Sequence, residues 1–431
     1  MSSYIRDNKN NSIIIYIGLL CYSIYILLPM ASPLIPQIIR YGVLLSFLAL
    51  SVLYTIKETY INKLALPVLI TILLYTVTFY YSNTGKIGDN IVSFFMTSFL
   101  FWIPLLVCFS INELSITEKE KLTKICVIII LISIITTIIG NIHYPLVSRY
   151  MAGKWSTELV NYYQRKNIGG YEFVYALVIL MPYWIYLIRE KRLSTIAKIM
   201  IVGTILVAFV TQYTLAWIIC LIELLFLLFL SKKNILLRIL ILIFVLYILI
   251  NTEYIGGLLY KLQDYFYDND MVTISERIGS IGDFFTGKRI EGDFIEREAL
   301  YLRSLEAFYR SPIIGSLGDY TKLGGHSTII DTLGALGIFG FSMLFIILTY
   351  YLYKIRTLFQ TTLGIYIIIS FVSFFIISVF NTGINGYTGF ALFITPFAVY
   401  NEEKNTTAQI REHSEERIYA QSYIRKRSVK Q

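Results

Sequence analysis

KICVIIILISIITTIIGNI, residues 124–142, carries a charge at its first position and none after it. As an α-helix those 19 residues rise about 28 Å, close to the hydrocarbon thickness of a bilayer. Read as a strand they lack the apolar-out, polar-in alternation of a membrane barrel. A spanning segment must satisfy its backbone internally, so this one is read as a transmembrane helix, and the same pattern recurs along the chain.

Composition agrees. Of the 431 residues 56% are hydrophobic and 15% charged, and the mean hydropathy is +0.65, which excludes an ordinary soluble globular fold. A window of about 19 residues finds twelve candidate spans. They are Ile13–Met30, Ile35–Ile56, Ala65–Tyr81, Ile91–Ser110, Lys124–Ile142, Tyr171–Ile188, Thr195–Thr211, Tyr213–Leu230, Asn234–Ile250, Ser327–Tyr353, Thr361–Phe380 and Tyr387–Tyr400. The expected fold is an all-α integral membrane protein, one polytopic domain over residues 1–431. The seventh and eighth spans are separated only by a weak break at Thr211–Thr214.

Every second connection is basic: Arg6 and Lys9, Lys57 and Lys63, Lys119 to Lys124, Arg189 to Arg192, Lys232 to Arg238, and Lys354 with Arg356. The positive-inside rule then puts both termini in the cytoplasm and the two long connections, 143–170 and 251–325, outside. The net charge of +9 is accounted for by this bias and by the basic tail 401–431, which suits an anionic leaflet; no nucleic-acid partner is expected. Cys21, Cys108, Cys126 and Cys220 fall in or at the ends of spans and point to neither a disulfide nor a metal site. The first span lacks a cleavage signature and is read as retained, and no internal repeat of a two-halved transporter is visible.

Within 251–325 the stretch FIEREALYLRSLEAFY is amphipathic, with Phe294, Ala299, Leu302, Leu305 and Phe308 near one helical face. A helix is expected there, on the membrane surface or over a cavity mouth, ended by Pro312 and Gly315. Acidic residues outnumber basic ones in this connection, so any anion-binding role rests on where its arginines sit.

Arg297 and Tyr301, then S-P-I-I-G-S-L-G from Ser311, then H-S-T-I-I-D-T-L-G-A-L-G-I-F-G from His326, resemble the shared C-terminal motif of the O-antigen ligase and polymerase superfamily. That motif reads R-x(3)-W, s-P-l-x-G-x-G, H-N-x-y-L-x(3)-E-x-G. Tyr301 stands for its Trp and Ser327 for its Asn, and the acidic residue comes early, at Asp331. Gln212-Tyr213-Thr214 stands where the family has a serine–arginine pair. The resemblance implies a glycosyltransferase, independent of metal and cofactor, acting on a polyisoprenyl-diphosphate-linked oligosaccharide at the outer face of the bacterial cytoplasmic membrane. A chain-length-regulating co-polymerase is implied by the same resemblance.

The residue chemistry fits that expectation. A diphosphate leaving group needs multidentate cationic donors, which arginine supplies better than lysine. An acceptor hydroxyl needs a base near neutral pH, which histidine supplies. His326 is the candidate base, or else a cap of the tenth helix. Arg297 is the first candidate diphosphate ligand, with Arg277 and Arg303 as further ones unless they only pair with nearby glutamates. The first outer connection adds Arg149 and Arg165 beside Asn167, Gly169 and Gly170, with headgroup anchoring as the alternative. A polymerase is preferred over a ligase by analogy with capsule and O-antigen polymerases. A transporter or flippase would need charged sites inside spans, where Glu172 and Glu223 are the main acidic candidates.

Overall fold

The computed structural model describes residues 2–36, 39, 42, 46, 100–108, 111, 114–151, 156–230, 252–286, 293–316, 323–359 and 363–400. These residues are helical or in turns, with no strand among them. The helices are α1 (Ser2–Leu27), α2 (Ala31–Leu34), α3 (Ile116–His143), α4 (Val147–Tyr150), α5 (Thr157–Arg165), α6 (Tyr171–Arg189), α7 (Ser194–Val210) and α8 (Thr214–Leu230). Then come α9 (Thr252–Asp268), α10 (Val272–Thr286), α11 (Asp293–Arg310), α12 (Thr328–Leu358) and α13 (Leu363–Phe380), and a last apolar helix, Gly386–Val399, with a π-helical turn at Phe390–Ile394. Four of these, α3, α6, α12 and α13, are long and apolar enough to cross a membrane, and shorter apolar helices include Ile13–Leu27, α7 and α8. The expected spans Ala65–Tyr81 and Asn234–Ile250 and the tail 401–431 lie outside the described residues, as do most of Ile35–Ile56 and half of Ile91–Ser110.

The opening stretch shows why this is a membrane-type bundle. Ser115 caps α3 through a reciprocal box with Glu118, which fixes its start. Along α3, Ile128, Ile132, Ile135, Ile139 and Ile142 form one exposed stripe. Its inward face carries Thr123, Ser133, Thr137 and Asn141, all buried. The polarity of a soluble helix is inverted here, and each inward polar group is hydrogen-bonded. Thr123 Oγ1 donates to Ala398 O (2.9 Å) and Ser133 Oγ to Leu27 O (3.0 Å). Thr137 Oγ1 accepts from Gly169 N (2.9 Å), and Asn141 Nδ2 donates to Ser148 Oγ (2.7 Å).

α6 is the hub, buried on most sides and packed against α7, α8, α13 and the last helix. The turn before it is held by Asn167, which is buried with φ +60°. Its Nδ2 donates to Ser133 Oγ (3.2 Å) and Thr136 Oγ1 (3.0 Å), and its Oδ1 accepts from Met30 N (3.2 Å). One side chain therefore ties the end of α1 to α3 and α6. Asn167→Ala removes all three bonds, leaving Met30 N without its acceptor, and puts alanine in a left-handed position it resists, at a cost of about 2–4 kcal/mol. A clear fall in the thermal midpoint of the purified protein in detergent is the expected result.

The break at Thr211–Thr214 is real: α7 ends at Val210 and Gln212 sits at φ +56°. The tenth span differs from the uninterrupted helix expected. α12 is broken at Gly337 (φ +63°, ψ −163°), which frees backbone groups that the 311–316 turn takes up. Ile338 N donates to Pro312 O (2.8 Å), Phe339 N to Ile313 O (3.1 Å), and Ser316 N to Gly334 O (2.8 Å). The turn lies backbone against backbone on the break, so the freed backbone groups are satisfied within the protein. A Cβ on Gly315 would stand 2.4 Å from Ala335 C, and one on Gly337 2.5 Å from Ile313 C, so both contacts require glycine.

The amphipathic helix of the large connection is present as α11 and ends before Pro312, but its buried face is rotated from the expected one. Ser304 and Ala307 are the buried positions; Leu302 and Ala299 are exposed. The reason is close packing. The backbones of Gly324 and Gly334 lie against the carbonyls of Leu300 and Ser304, a separation only small residues permit. The side chain of Phe294 is outside the described residues.

Candidate functional site

Three segments far apart in sequence supply the site: α4, α11 and the turn entering α12. α4 is preceded by Leu146, in left-handed backbone, and is pinned through Ser148. Ser148 N donates to Asn141 Oδ1 (3.3 Å), its Oγ donates to Gly169 O (2.7 Å), and its carbonyl accepts from the Tyr213 hydroxyl (2.7 Å). Gly169 thus serves the scaffold, as Asn167 does. Arg149 follows immediately, and its Nη1 reaches the Gln212 carbonyl at 3.5 Å. Burial lowers the pKa of its guanidinium and Arg297 adds to the lowering, while Tyr213, Glu276 and Tyr175 oppose it.

Arg297 is half-buried on the face of α11 that turns toward the bundle. It meets the Tyr301 hydroxyl, which in turn donates to Phe380 O (2.9 Å) at the end of α13. Burial raises the Tyr301 pKa and Arg297 opposes this, so the phenol is protonated at neutral pH.

His326 is held from both sides, an exposed residue whose imidazole is still partly desolvated. Gly325, at φ +72°, turns the chain toward it. Ser327 caps α12 by accepting from Ile330 N (3.1 Å) and donates to Ser378 O (3.2 Å). Asp331 accepts from Ser327 N (2.9 Å) and from Ser304 Oγ (2.6 Å), and Ser304 Oγ also accepts from Gly324 N (2.8 Å). The carboxylate therefore locks α11 to the start of α12 and sets the His326 backbone. Burial and the Arg297 charge lower the imidazole pKa, with Asp331 opposing, so His326 is neutral at physiological pH. Asp331→Ala leaves the Ser304 hydroxyl and the Ser327 amide without their acceptor. The expected cost is about 2–3 kcal/mol, read as a lower unfolding midpoint, with Asp331→Asn retaining part of it.

Arg149, Arg297 and His326 are thereby brought into one electrostatic neighbourhood, with the two guanidiniums close enough to disfavour one another. Arg303 is exposed on another face of α11. Arg165 is exposed at the end of α5. Beside it Lys166 lies over the rings of Tyr144 (4.8 Å) and Tyr162 (4.4 Å) and donates to the Tyr144 hydroxyl (3.3 Å), the geometry of an interfacial anchor. The side chain of Arg277 is outside the described residues, and its neighbour Glu276 is the group that faces Arg149.

No protein-family model and no curated protein matches the chain.

The site's geometry includes Asn381, Thr382 and Tyr175, which the sequence did not single out. Asn381, between α13 and the last helix, donates from Nδ2 to the Tyr175 hydroxyl (3.0 Å) and accepts from Thr328 N (3.2 Å). Tyr175 packs against Tyr213 at 5.9 Å, and the Tyr171 hydroxyl is hydrogen-bonded to Thr382 Oγ1 (2.8 Å). The signal was present in the polar N-T-G-I-N-G at 381–386, whose depth of insertion only the fold reveals. Chemically, a multiply charged anion placed between Arg149 and Arg297 relieves their repulsion, and a neutral imidazole beside it is able to accept a proton.

Proposed function

We propose that this chain is a polysaccharide polymerase with twelve membrane spans and both termini in the cytoplasm, working at the outer face of the cytoplasmic membrane. It joins a polyisoprenyl-diphosphate-linked glycan to a sugar hydroxyl of a second lipid-linked repeat unit. Arg149 and Arg297 hold the donor diphosphate, and His326 accepts the acceptor's hydroxyl proton. The acceptor oxygen forms the new bond to the anomeric carbon as the bond from that carbon to the diphosphate breaks. The electron pair leaves on the polyisoprenyl diphosphate. Stabilising that leaving charge is the main task of the two guanidiniums.

One observation supports the reading: Arg297, from the second long connection, lies within electrostatic reach both of Arg149, from the first, and of His326. The motif resemblance is consistent with it. The test is the glycan profile of a deletion strain complemented with the wild-type chain or with Arg149→Ala. A polymerase predicts loss of long chains with single repeat units still on the final carrier. Loss of all attached glycan, with polymer left on its lipid carrier, indicates a ligase. An unchanged profile removes Arg149 from the site and favours a transporter.

A further inference from the structure

Well below the site, three helices share a polar cluster surrounded by apolar side chains. Glu223 on α8 is 1% exposed, and its Oε1 accepts from Ser373 Oγ on α13 at 2.5 Å. One turn before Ser373 on the same helix, the Ser370 hydroxyl is fully buried. The buried Tyr183 hydroxyl on α6 faces both Ser370 and Glu223. Three of these groups complete no hydrogen bond among the described residues: Glu223 Oε2, Ser370 Oγ and Tyr183 Oη. No described lysine or arginine is paired with the carboxyl.

The other titratable groups of α7, α8 and α13 are accounted for. Cys220 lies one turn away on α8 and faces Glu223. On α7 the only titratable side chain, Lys198, is exposed in the first turn. On α13 it is Tyr366, which accepts from Arg189 Nη1 at the opposite end of the helix.

An ionised carboxylate with one hydroxyl donor and no cation is strongly disfavoured in so apolar a setting. A proton on Oε2 turns the orphaned acceptor into a donor, with the Tyr183 hydroxyl facing the same carboxyl. We propose that Glu223 is an intramembrane proton-binding site, a carboxylic acid that stays protonated at neutral pH and bridges α8 to α6 and α13. The same three helices present Tyr213, Tyr175 and Asn381 near their outer ends, so the bound proton holds the frame on which Arg149 and His326 rest. The inference stands independently of the glycan reading.

Two measurements test it. In the infrared difference spectrum of wild type against Glu223→Gln, in bilayers at neutral pH, a protonated-carboxyl C=O stretch is lost and the carboxylate bands are unchanged. Loss of carboxylate bands instead overturns the proposal. On the wild-type chain, a hydrophobic carbodiimide labels Glu223, read by peptide mass spectrometry, and sodium ions do not protect it. An unlabelled Glu223, or one that sodium ions shield, sinks the idea whatever the folding of the variant.

Discussion

His326→Ala is expected to reduce polymer formation by about 10²–10⁴-fold, the contribution of a positioned general base, while membrane insertion and thermal stability stay near wild type. The residue itself is exposed, and the hydrogen bonds of its turn belong to Ser304, Ser327 and Asp331, so removing the imidazole leaves the local backbone intact. The pH profile gives a second readout. A base works when deprotonated, so activity falls as pH drops through the His326 pKa. Burial and Arg297 lower that pKa, which extends activity to more acidic pH than an unperturbed imidazole allows. Arg297→Gln removes one lowering influence and shifts the acid limb upward; Asp331→Asn removes the raising one and shifts it downward. The assay is polymer formation from purified lipid-linked repeat units across pH. Wild-type turnover by His326→Ala, or an acid limb unmoved by Arg297→Gln, removes His326 as the base.

Gly337→Ala carries the largest expected loss of stability. A Cβ there meets Ile313 C and O and Ile314 N at 2.5 to 2.6 Å, all backbone atoms that no rotamer change moves aside. The residue must also hold φ +63° with ψ −163°, a region open to glycine almost alone. Overpacking and backbone strain together cost about 3–5 kcal/mol, a large share of an ordinary protein's stability. The expected result is a poorly accumulating protein that aggregates on size-exclusion chromatography. Gly257→Ala is the control: a Cβ on that α9 glycine meets nothing within 4 Å, and the change is neutral or slightly stabilising. Equal behaviour of the two variants contradicts the account of the break.

Much of this architecture was legible in the residues. Runs such as 124–142 announce apolar helices because their hydrophobicity is unbroken over a bilayer's thickness, and Pro312 with Gly315 announces the end of α11. The break inside α12 was not legible. Gly337 sits in a run as apolar as its neighbours, and its conformation is imposed by a turn more than twenty residues earlier in the chain. The buried face of α11 was misplaced for a related reason. Apolar periodicity points to Leu302, whereas close packing selects Ser304 and Ala307 for their size. Of the candidate arginines, Arg149 and Arg165 look equivalent in sequence, and only the fixation of Ser148 by Asn141, Gly169 and Tyr213 turns one of them into the bundle.

The separation of Arg149 from Arg297 and His326 along the chain also sets a schedule for biosynthesis. α3 and α4 leave the ribosome long before α12, so Arg149 waits with only its near scaffold formed. Its companions arrive once α11 has been made and the turn 311–316 has closed on the break at Gly337. Any product released before residue 326 therefore lacks the turn that holds His326 and, on the proposed function, is inert.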